Sequence, residues 1–106
     1  MADPMVPDAS FDGGDLDCGN GLLILIRQHL GPLERGQLLH LRSTEKSVAE
    51  DLPSWGRLTG NALLDHRTEP TATGTAHHFL VVKGSQADRE AWLSNIGSAK
   101  GGSGAK

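Results

Sequence analysis

The sequence contains only one cysteine, Cys18, in 106 residues. A single cysteine excludes an internal disulfide and any zinc site built from several cysteines. It also agrees with a reducing compartment. The N-terminus lacks the basic and apolar segments of a signal peptide, and the longest apolar run is far too short to span a membrane. We therefore expect a cytoplasmic protein without a membrane partner.

The chain has no excess of positive charge, since its net charge is −3, and this argues against a direct nucleic-acid binder. No lysine or arginine precedes Arg27, whereas several aspartates do, so the N-terminal segment should select a basic partner surface. Arg27 is a candidate binding residue, although most exposed arginines are simply solvated. The aspartates before it are Asp3, Asp8, Asp12, Asp15 and Asp17.

The densest apolar run, Leu22 to Ile26, directly follows Cys18-Gly19-Asn20-Gly21. The apolar spacing, the glycines before the run and Gly31-Pro32 after it predict a helix over Leu22–Leu30, although such a run also occurs in buried strands. A helix that is apolar all round its first half must pack against a sheet. Cys18 would then lie at the start of a buried helix.

Four short segments have the alternation or the β-branched and aromatic composition of strands. In the second of them, Leu39 and Leu41 should face inward, and His40 and Arg42 outward. A turn-rich loop is predicted over 68–74. The predicted strands are 10–12, 37–42, 62–66 and 77–83.

A second helix is predicted to begin at Ser47, because Ser47 and Glu50 have the spacing of a capping box. Pro53 is too deep in this helix to be tolerated freely, so we expect a kink or a restart there. Gly60 should end the helix. Its predicted apolar face consists of Val48, Leu52, Trp55 and Leu58.

The C-terminal part of the chain predicts a short helix over 85–97 and a disordered tail over 98–106. Trp92 in this helix is either an exposed anchor or a cover for the sheet edge. Residues 1–9 should be a flexible leader, which leaves 10–84 as the folded domain. The apolar side of the helix would consist of Ala91, Trp92, Leu93 and Ile96.

The predicted order of elements is β-α-β-α-β-β. Because β-α-β units cross over with one hand, both helices should lie on one face of a four-stranded mixed sheet. We therefore predict an α/β fold, a two-layer sandwich, with a short C-terminal helix in addition. Nothing in the sequence requires an oligomer, and we expect a monomer.

This order and several motifs resemble the TusA/SirA-like family of small sulfur carrier proteins. The shared features are Leu16-x-Cys18 before an apolar helix, Asp51-Leu52-Pro53-x-Trp55 in the second helix, and the closing Phe79-Leu80-Val81-Val82-Lys83-Gly84. The family's signature, Cys-Pro-x-Pro, reads Cys18-Gly19-Asn20-Gly21 here. The cysteine is kept and both prolines are replaced by glycine.

The resemblance implies that Cys18 accepts sulfane sulfur as a persulfide and relays it to a partner protein, with no metal or organic cofactor. The implied donors are a cysteine desulfurase or a rhodanese-type sulfurtransferase. The implied acceptors are relay proteins for tRNA thiolation, molybdenum-cofactor maturation or sulfur oxidation. Such a protein is a stoichiometric carrier more than a turnover enzyme. The residues expected to bind the partner are Asp17, Gly19, Asn20, Gly21 and Arg27.

Two other interpretations are compatible with the residues. A lone cysteine is commonly buried and unreactive, and the changed motif also fits a SirA-like interaction or regulatory module that transfers no sulfur. The histidines predict no metal site, because His77 and His78 point to opposite faces of one strand. His66 on a neighbouring strand could join one of them, which would still give only a polar surface pair.

Overall fold

The computed structural model describes residues 6–17, 19 and 21–102 of the chain. These residues form strands and helices in the order β-α-β-α-β-β-α. The predicted helix over Leu22–Leu30 is confirmed at both ends. The elements are β1 (Ala9–Asp12), α1 (Leu22–Leu30), β2 (Leu38–Ser43), α2 (Ser47–Thr59), β3 (Leu63–Thr71), β4 (Gly74–Val82) and α3 (Gln86–Gly102).

The strands form one mixed sheet in the order β1-β2-β4-β3. β1 pairs parallel to β2, whereas β4 pairs antiparallel to both β2 and β3. The connection through α1 is what allows β1 and β2 to be parallel neighbours. The predicted α/β class and the four-stranded mixed sheet are therefore confirmed.

One apolar core lies between the sheet and the helices α1 and α2. β2 alternates as predicted, with Leu39 and Leu41 fully buried in this core and His40 and Arg42 on the opposite face. The α1 residues in the core follow a spacing of four, which keeps one side of the helix on the sheet. The other buried members are Leu22, Ile26, Leu30, Val48, Leu52, Trp55, Phe79 and Val81.

β3 and β4 form a longer hairpin than the sequence predicts. β3 runs to Thr71 and β4 begins at Gly74, so most of the segment 68–74, predicted as a loop, belongs to the two strands. The prediction is wrong because proline and glycine usually mark turns. Pro70, which has no backbone N–H to donate, is tolerated because β3 lies at the edge of the sheet.

The start of α2 differs from the predicted capping box. Ser47 is already the first helical residue, and the Glu45 carboxylate accepts the Ser47 N–H at 3.0 Å. Hydrogen bonds from the Ser47 hydroxyl and backbone N–H lower the pKa of Glu45. Glu45 therefore accepts the Ser47 N–H, which the predicted capping box assigned to the Glu50 side chain.

Two further features of α2 correct the prediction. Pro53 lies inside one continuous helix, so the helix does not restart there. Leu58 is 87% exposed and is not part of the buried face. It follows Leu52 by six residues, which is not a whole number of helical turns, so the two side chains point in different directions. The buried residues of α2 are Val48, Leu52, Trp55 and Gly56.

α3 docks on the turn that precedes β2. Arg89 is 5% exposed and donates through Nη1 to the Gly36 carbonyl at 2.9 Å. Trp92 is half-buried and its Cβ lies beside Gly36, in the turn before a central strand. The helix is closed at its N-terminus by Ser85, whose hydroxyl accepts the Asp88 N–H at 3.1 Å.

α3 extends to Gly102, past the predicted end at residue 97. The Ile96 side chain, residues 1–5 of the predicted leader and 103–106 of the predicted tail lie outside the described part of the chain. No helix in the described part is both long enough and apolar enough to cross a membrane.

Candidate functional site

The segment that joins β1 to α1, residues 13–21, is here called the Cys18 loop. Its first end is tied to the sheet by two backbone hydrogen bonds. The Gly13 N–H donates to the Arg42 carbonyl at 2.8 Å, and the Thr44 N–H donates to the Gly14 carbonyl at 2.8 Å. The start of the loop therefore continues the edge of the sheet, beside the loop that follows β2.

The far end of the Cys18 loop enters α1 through Gly21. The Gly21 carbonyl accepts the N–H groups of Ile24 and Leu25 at 3.1 and 3.2 Å, and the Leu22 N–H donates to the Asp17 carbonyl at 3.3 Å. Leu22 is fully buried, so the first turn of α1 is anchored in the core. The described residues on both sides of position 18 are thus held by the fold.

The backbone at Gly21 differs from what the Cys-Pro-x-Pro motif requires. Gly21 has φ 104°, in the left-handed half of conformational space that favours glycine. Proline is restricted to φ near about −65°. Proline therefore cannot replace Gly21 without a change in the local backbone.

Cys18 and Asn20 lie outside the described residues. Asp17 is half-buried and Gly19 is exposed. Asp17 Oδ1 is inaccessible to solvent and has no hydrogen-bond partner among the residues that the structure describes. A Cβ at position 19 would lie 3.6 Å from this oxygen. Asp17 and Gly19 are thus close neighbours before the start of α1.

The N-terminal end of α1 has little negative charge of its own to offset the positive end of the helix dipole. The first turn of the helix contains no acidic residue, and Gly21 provides no side-chain cap. Asp15 and Asp17 precede this end of the helix in the chain. The helix dipole and an exposed carboxylate are each worth about 1 kcal/mol or less and act in opposite directions on a nearby thiolate.

The other described aspartates of the N-terminal segment have partners elsewhere. Asp12 Oδ2 lies 3.0 Å from Arg42 Nη1 in an ion pair. Asp8 Oδ2 accepts the Leu38 N–H at 2.9 Å. The negative potential expected for the N-terminal segment is thus partly neutralised, and what remains near the Cys18 loop comes from Asp15 and Asp17.

Arg27 does not lie with the Cys18 loop. It is six residues beyond Gly21, which is about 9 Å farther along the axis of α1. Its exposed side chain lines a groove with Trp55 and Lys83, between the C-terminal halves of α1 and α2, and a second groove beside Ile24. A partner would have to cover more than one turn of α1 to contact both Arg27 and the loop.

Four histidines form two hydrogen-bonded pairs across the sheet. His66 Nε2 lies 3.0 Å from His77 Nδ1, on the same face as the core residue Phe79. His40 Nε2 lies 2.8 Å from His78 Nδ1 on the opposite face. His77 and His78 thus face opposite sides, as predicted, and His66 joins His77.

The pairing of His40 with His78 was missed because it depends on the register of β2 against β4, which a single sequence does not reveal. Burial, and next the neighbouring imidazole, lower the pKa of His40 and likewise of His66. Among the residues that the structure describes, no group of three or more histidine, cysteine or acidic side chains is arranged to hold a metal ion.

Comparisons with known proteins place this geometry in context. No family model matches the chain. The sulfur carrier protein TusA of Allochromatium vinosum is 29% identical to the chain over 76 residues, which cover 72% of this chain and 93% of that protein. The similarity therefore takes in most of both chains.

Proposed function

Since this chain is a distant TusA/SirA-like protein, as its motifs predicted, we propose that it is a sulfur carrier that accepts and relays sulfane sulfur on Cys18. The observation that carries the proposal is the match to a sulfur carrier protein over most of both chains. The anchoring of residues 13–17 and 21–25 supports it, because a carrier must present its cysteine from a fixed backbone to successive partners.

The proposed reaction is a thiol–persulfide exchange. The Cys18 thiolate attacks the outer sulfur of a donor persulfide, R–S–SH, so that a new S–S bond forms at Cys18 while the donor S–S bond breaks. The donor leaves as a thiolate and Cys18 becomes Cys–S–SH. The same exchange with an acceptor thiolate then regenerates Cys18. No external oxidant or reductant takes part.

The residues around position 18 have opposite effects on this chemistry. The positive end of α1 favours a thiolate, whereas the carboxylates of Asp15 and Asp17 disfavour it. Gly19 and Gly21 remove bulk at the start of the helix, which allows a partner backbone to approach closely. We expect Asp17, Gly19, Asn20 and Gly21 to contact the partner, with Arg27 at the margin of the interface.

The proposed partners follow from the chemistry. A cysteine desulfurase or a rhodanese-type sulfurtransferase carries a persulfide and would be the donor, and a relay protein with a reactive cysteine would be the acceptor. A donor surface with basic residues would complement Asp15 and Asp17. A reducing cytoplasm would keep the single thiol of a monomeric carrier ready for exchange.

The test is intact mass spectrometry of the reduced protein after incubation with a cysteine desulfurase and cysteine, and separately with thiosulfate. We expect a gain of one sulfur, about 32 Da, that reductant reverses and that Cys18→Ser abolishes. Native-state alkylation of Cys18, compared with alkylation in denaturant, should also be fast.

The contrary result would be the absence of an adduct together with slow native-state alkylation. That outcome would overturn the carrier and favour the interaction or regulatory module. In that case Cys18→Ser should leave partner binding unchanged.

A further inference from the structure

The face of the sheet opposite α1 and α2 carries a continuous chain of hydrogen bonds across all four strands. Ser10 Oγ on β1 lies 2.7 Å from His40 Nδ1 on β2. His40 Nε2 lies 2.8 Å from His78 Nδ1 on β4, and His78 Nε2 lies 2.8 Å from Glu69 Oε1 on β3. This chain of hydrogen bonds therefore begins at the Ser10 hydroxyl and ends at the Glu69 carboxylate.

The direction of every hydrogen bond in this chain follows from the carboxylate. Ionised Glu69 only accepts, so His78 Nε2 must donate to it. The Nδ1 of neutral His78 is then an acceptor, and His40 Nε2 must donate to it. The Nδ1 of neutral His40 is in turn an acceptor, so the Ser10 hydroxyl donates to His40. Both imidazoles are thus fixed in a single tautomer.

The geometry of the two rings supports this arrangement. The ring centroids of His40 and His78 are 5.1 Å apart and the ring planes differ by 13°. With the facing nitrogens 2.8 Å apart, the rings lie edge to edge in nearly one plane, as a linear N–H···N bond requires. The Ser10 end of the chain is exposed to solvent.

We propose that Ser10 is an activated nucleophile, with His40 as its general base and with His78 and Glu69 as positioning residues that orient His40. A hydroxyl bonded to an imidazole that a further group orients is the arrangement by which proteins activate serine. An activated carboxylic ester is the kind of substrate that such a serine nucleophile attacks. The site uses no residue of the Cys18 loop, so it does not depend on the proposed sulfur transfer.

The proposed step balances without any cofactor. Ser10 Oγ attacks the carbonyl carbon, its proton passes to His40 Nδ1, and the bond from that carbon to the leaving oxygen breaks. The leaving alkoxide takes the proton from His40, and the product is acyl-Ser10. The positive charge that forms transiently on the imidazoles is stabilised by Glu69.

The test is labelling of the full-length protein with a fluorophosphonate, whose phosphorus forms a bond to an activated serine as fluoride leaves. Peptide mass spectrometry would compare Ser10 with Ser54, an exposed serine whose hydroxyl accepts a bond from Arg57 instead of contacting an imidazole. We expect Ser10 to react at least about a hundredfold faster, the usual contribution of a general base. Equal rates at the two serines would overturn the proposal, and this comparison needs no variant.

Two variants test the roles of the other members. His40→Asn should reduce labelling of Ser10 to the rate of Ser54. Glu69→Gln should move the rise of the Ser10 labelling rate to lower pH, because the carboxylate stabilises the protonated imidazoles. The charged groups facing the pair are Asp12, Arg42, Asp65, Arg67 and Glu69. An unshifted pH profile in Glu69→Gln, or labelling of Ser10 that survives His40→Asn, would overturn the proposal. The four hydrogen-bonded side chains would then be only a polar contact between strands.

Discussion

Replacing Gly36 with alanine should be the most damaging single-methyl change in the turn on which α3 docks. Gly36 has φ +97°, and a Cβ there would lie 2.5 Å from both the Asp88 carbonyl oxygen and the Trp92 Cβ. The backbone conformation costs an alanine about 1–2 kcal/mol. Forcing apart packed atoms adds about 1–3 kcal/mol. The sum, about 2–5 kcal/mol, is a large part of the roughly 5–15 kcal/mol that stabilises a domain.

Gly60→Ala is the matched control for this prediction. Gly60 also has a positive φ, +75°, but no described atom lies within 4 Å of a Cβ placed there. Its substitution should therefore cost only the conformational part, about 1–2 kcal/mol. Urea unfolding followed by tryptophan fluorescence would measure both, and Trp92 should become more solvent-exposed in native Gly36→Ala. A difference between the variants of less than about 0.5 kcal/mol would refute the close docking of α3 on Gly36.

Four further predictions follow from the described contacts. In urea unfolding, Leu22→Ala should lower the free energy of unfolding by about 2–5 kcal/mol, because Leu22 is fully buried. Ile24→Ala, at a residue that is 60% exposed, should change it by no more than about 0.5 kcal/mol, and similar losses in both variants would contradict the assigned buried face of α1. Gly21→Pro should destabilise by more than about 1 kcal/mol, since φ 104° is closed to proline, and a neutral effect would mean that the start of α1 has another backbone path. Glu45→Ala should lower the melting temperature more than Ser47→Ala does, and the reverse order would support the predicted capping box instead. The lowered pKa values of His40 and His66 mean that the folded protein binds fewer protons than the unfolded chain. The free energy of unfolding should therefore be highest above pH about 6.5 and should fall as the pH decreases through the folded pKa values. Replacing both histidines with asparagine should flatten that pH dependence.

Much of the fold was accessible from the sequence because its signals are local. The apolar spacing and the flanking glycines set the limits of Leu22–Leu30, and alternation in β2 assigned Leu39 and Leu41 to the core. The order of elements and the handedness of β-α-β units then left few arrangements for the sheet. These signals need no knowledge of distant contacts.

The errors occurred where tertiary context decides. Pro70 indicates a turn by composition, but an edge strand accepts it because the missing N–H is not needed there. At the start of α2 the Ser47 N–H is bonded by Glu45, which precedes the predicted capping box in the chain. The contact of α3 with Gly36 joins segments about half the chain apart.

Some features of the candidate site could be predicted from the sequence, and others depend on the folded backbone. The motif around Cys18 and the resemblance it carries were visible in the sequence, and the roles of Asp17, Gly19, Asn20, Gly21 and Arg27 are still predictions. The backbone of Gly21 was not visible, since glycine alone does not reveal the sign of φ. The chain from Ser10 to Glu69 was also hidden, because it depends on the pairing of four strands.

The most direct test of the carrier account is onward transfer of sulfur from the loaded protein. Protein loaded with one sulfur and freed of its donor would be mixed with a reduced relay protein that has a reactive cysteine, and the intact masses of both proteins followed in one spectrum. The account predicts that about 32 Da leaves the chain and appears on the acceptor, with no transfer from Cys18→Ser treated in the same way. Sulfur that stays on the chain, or is lost without appearing on the acceptor, would contradict it.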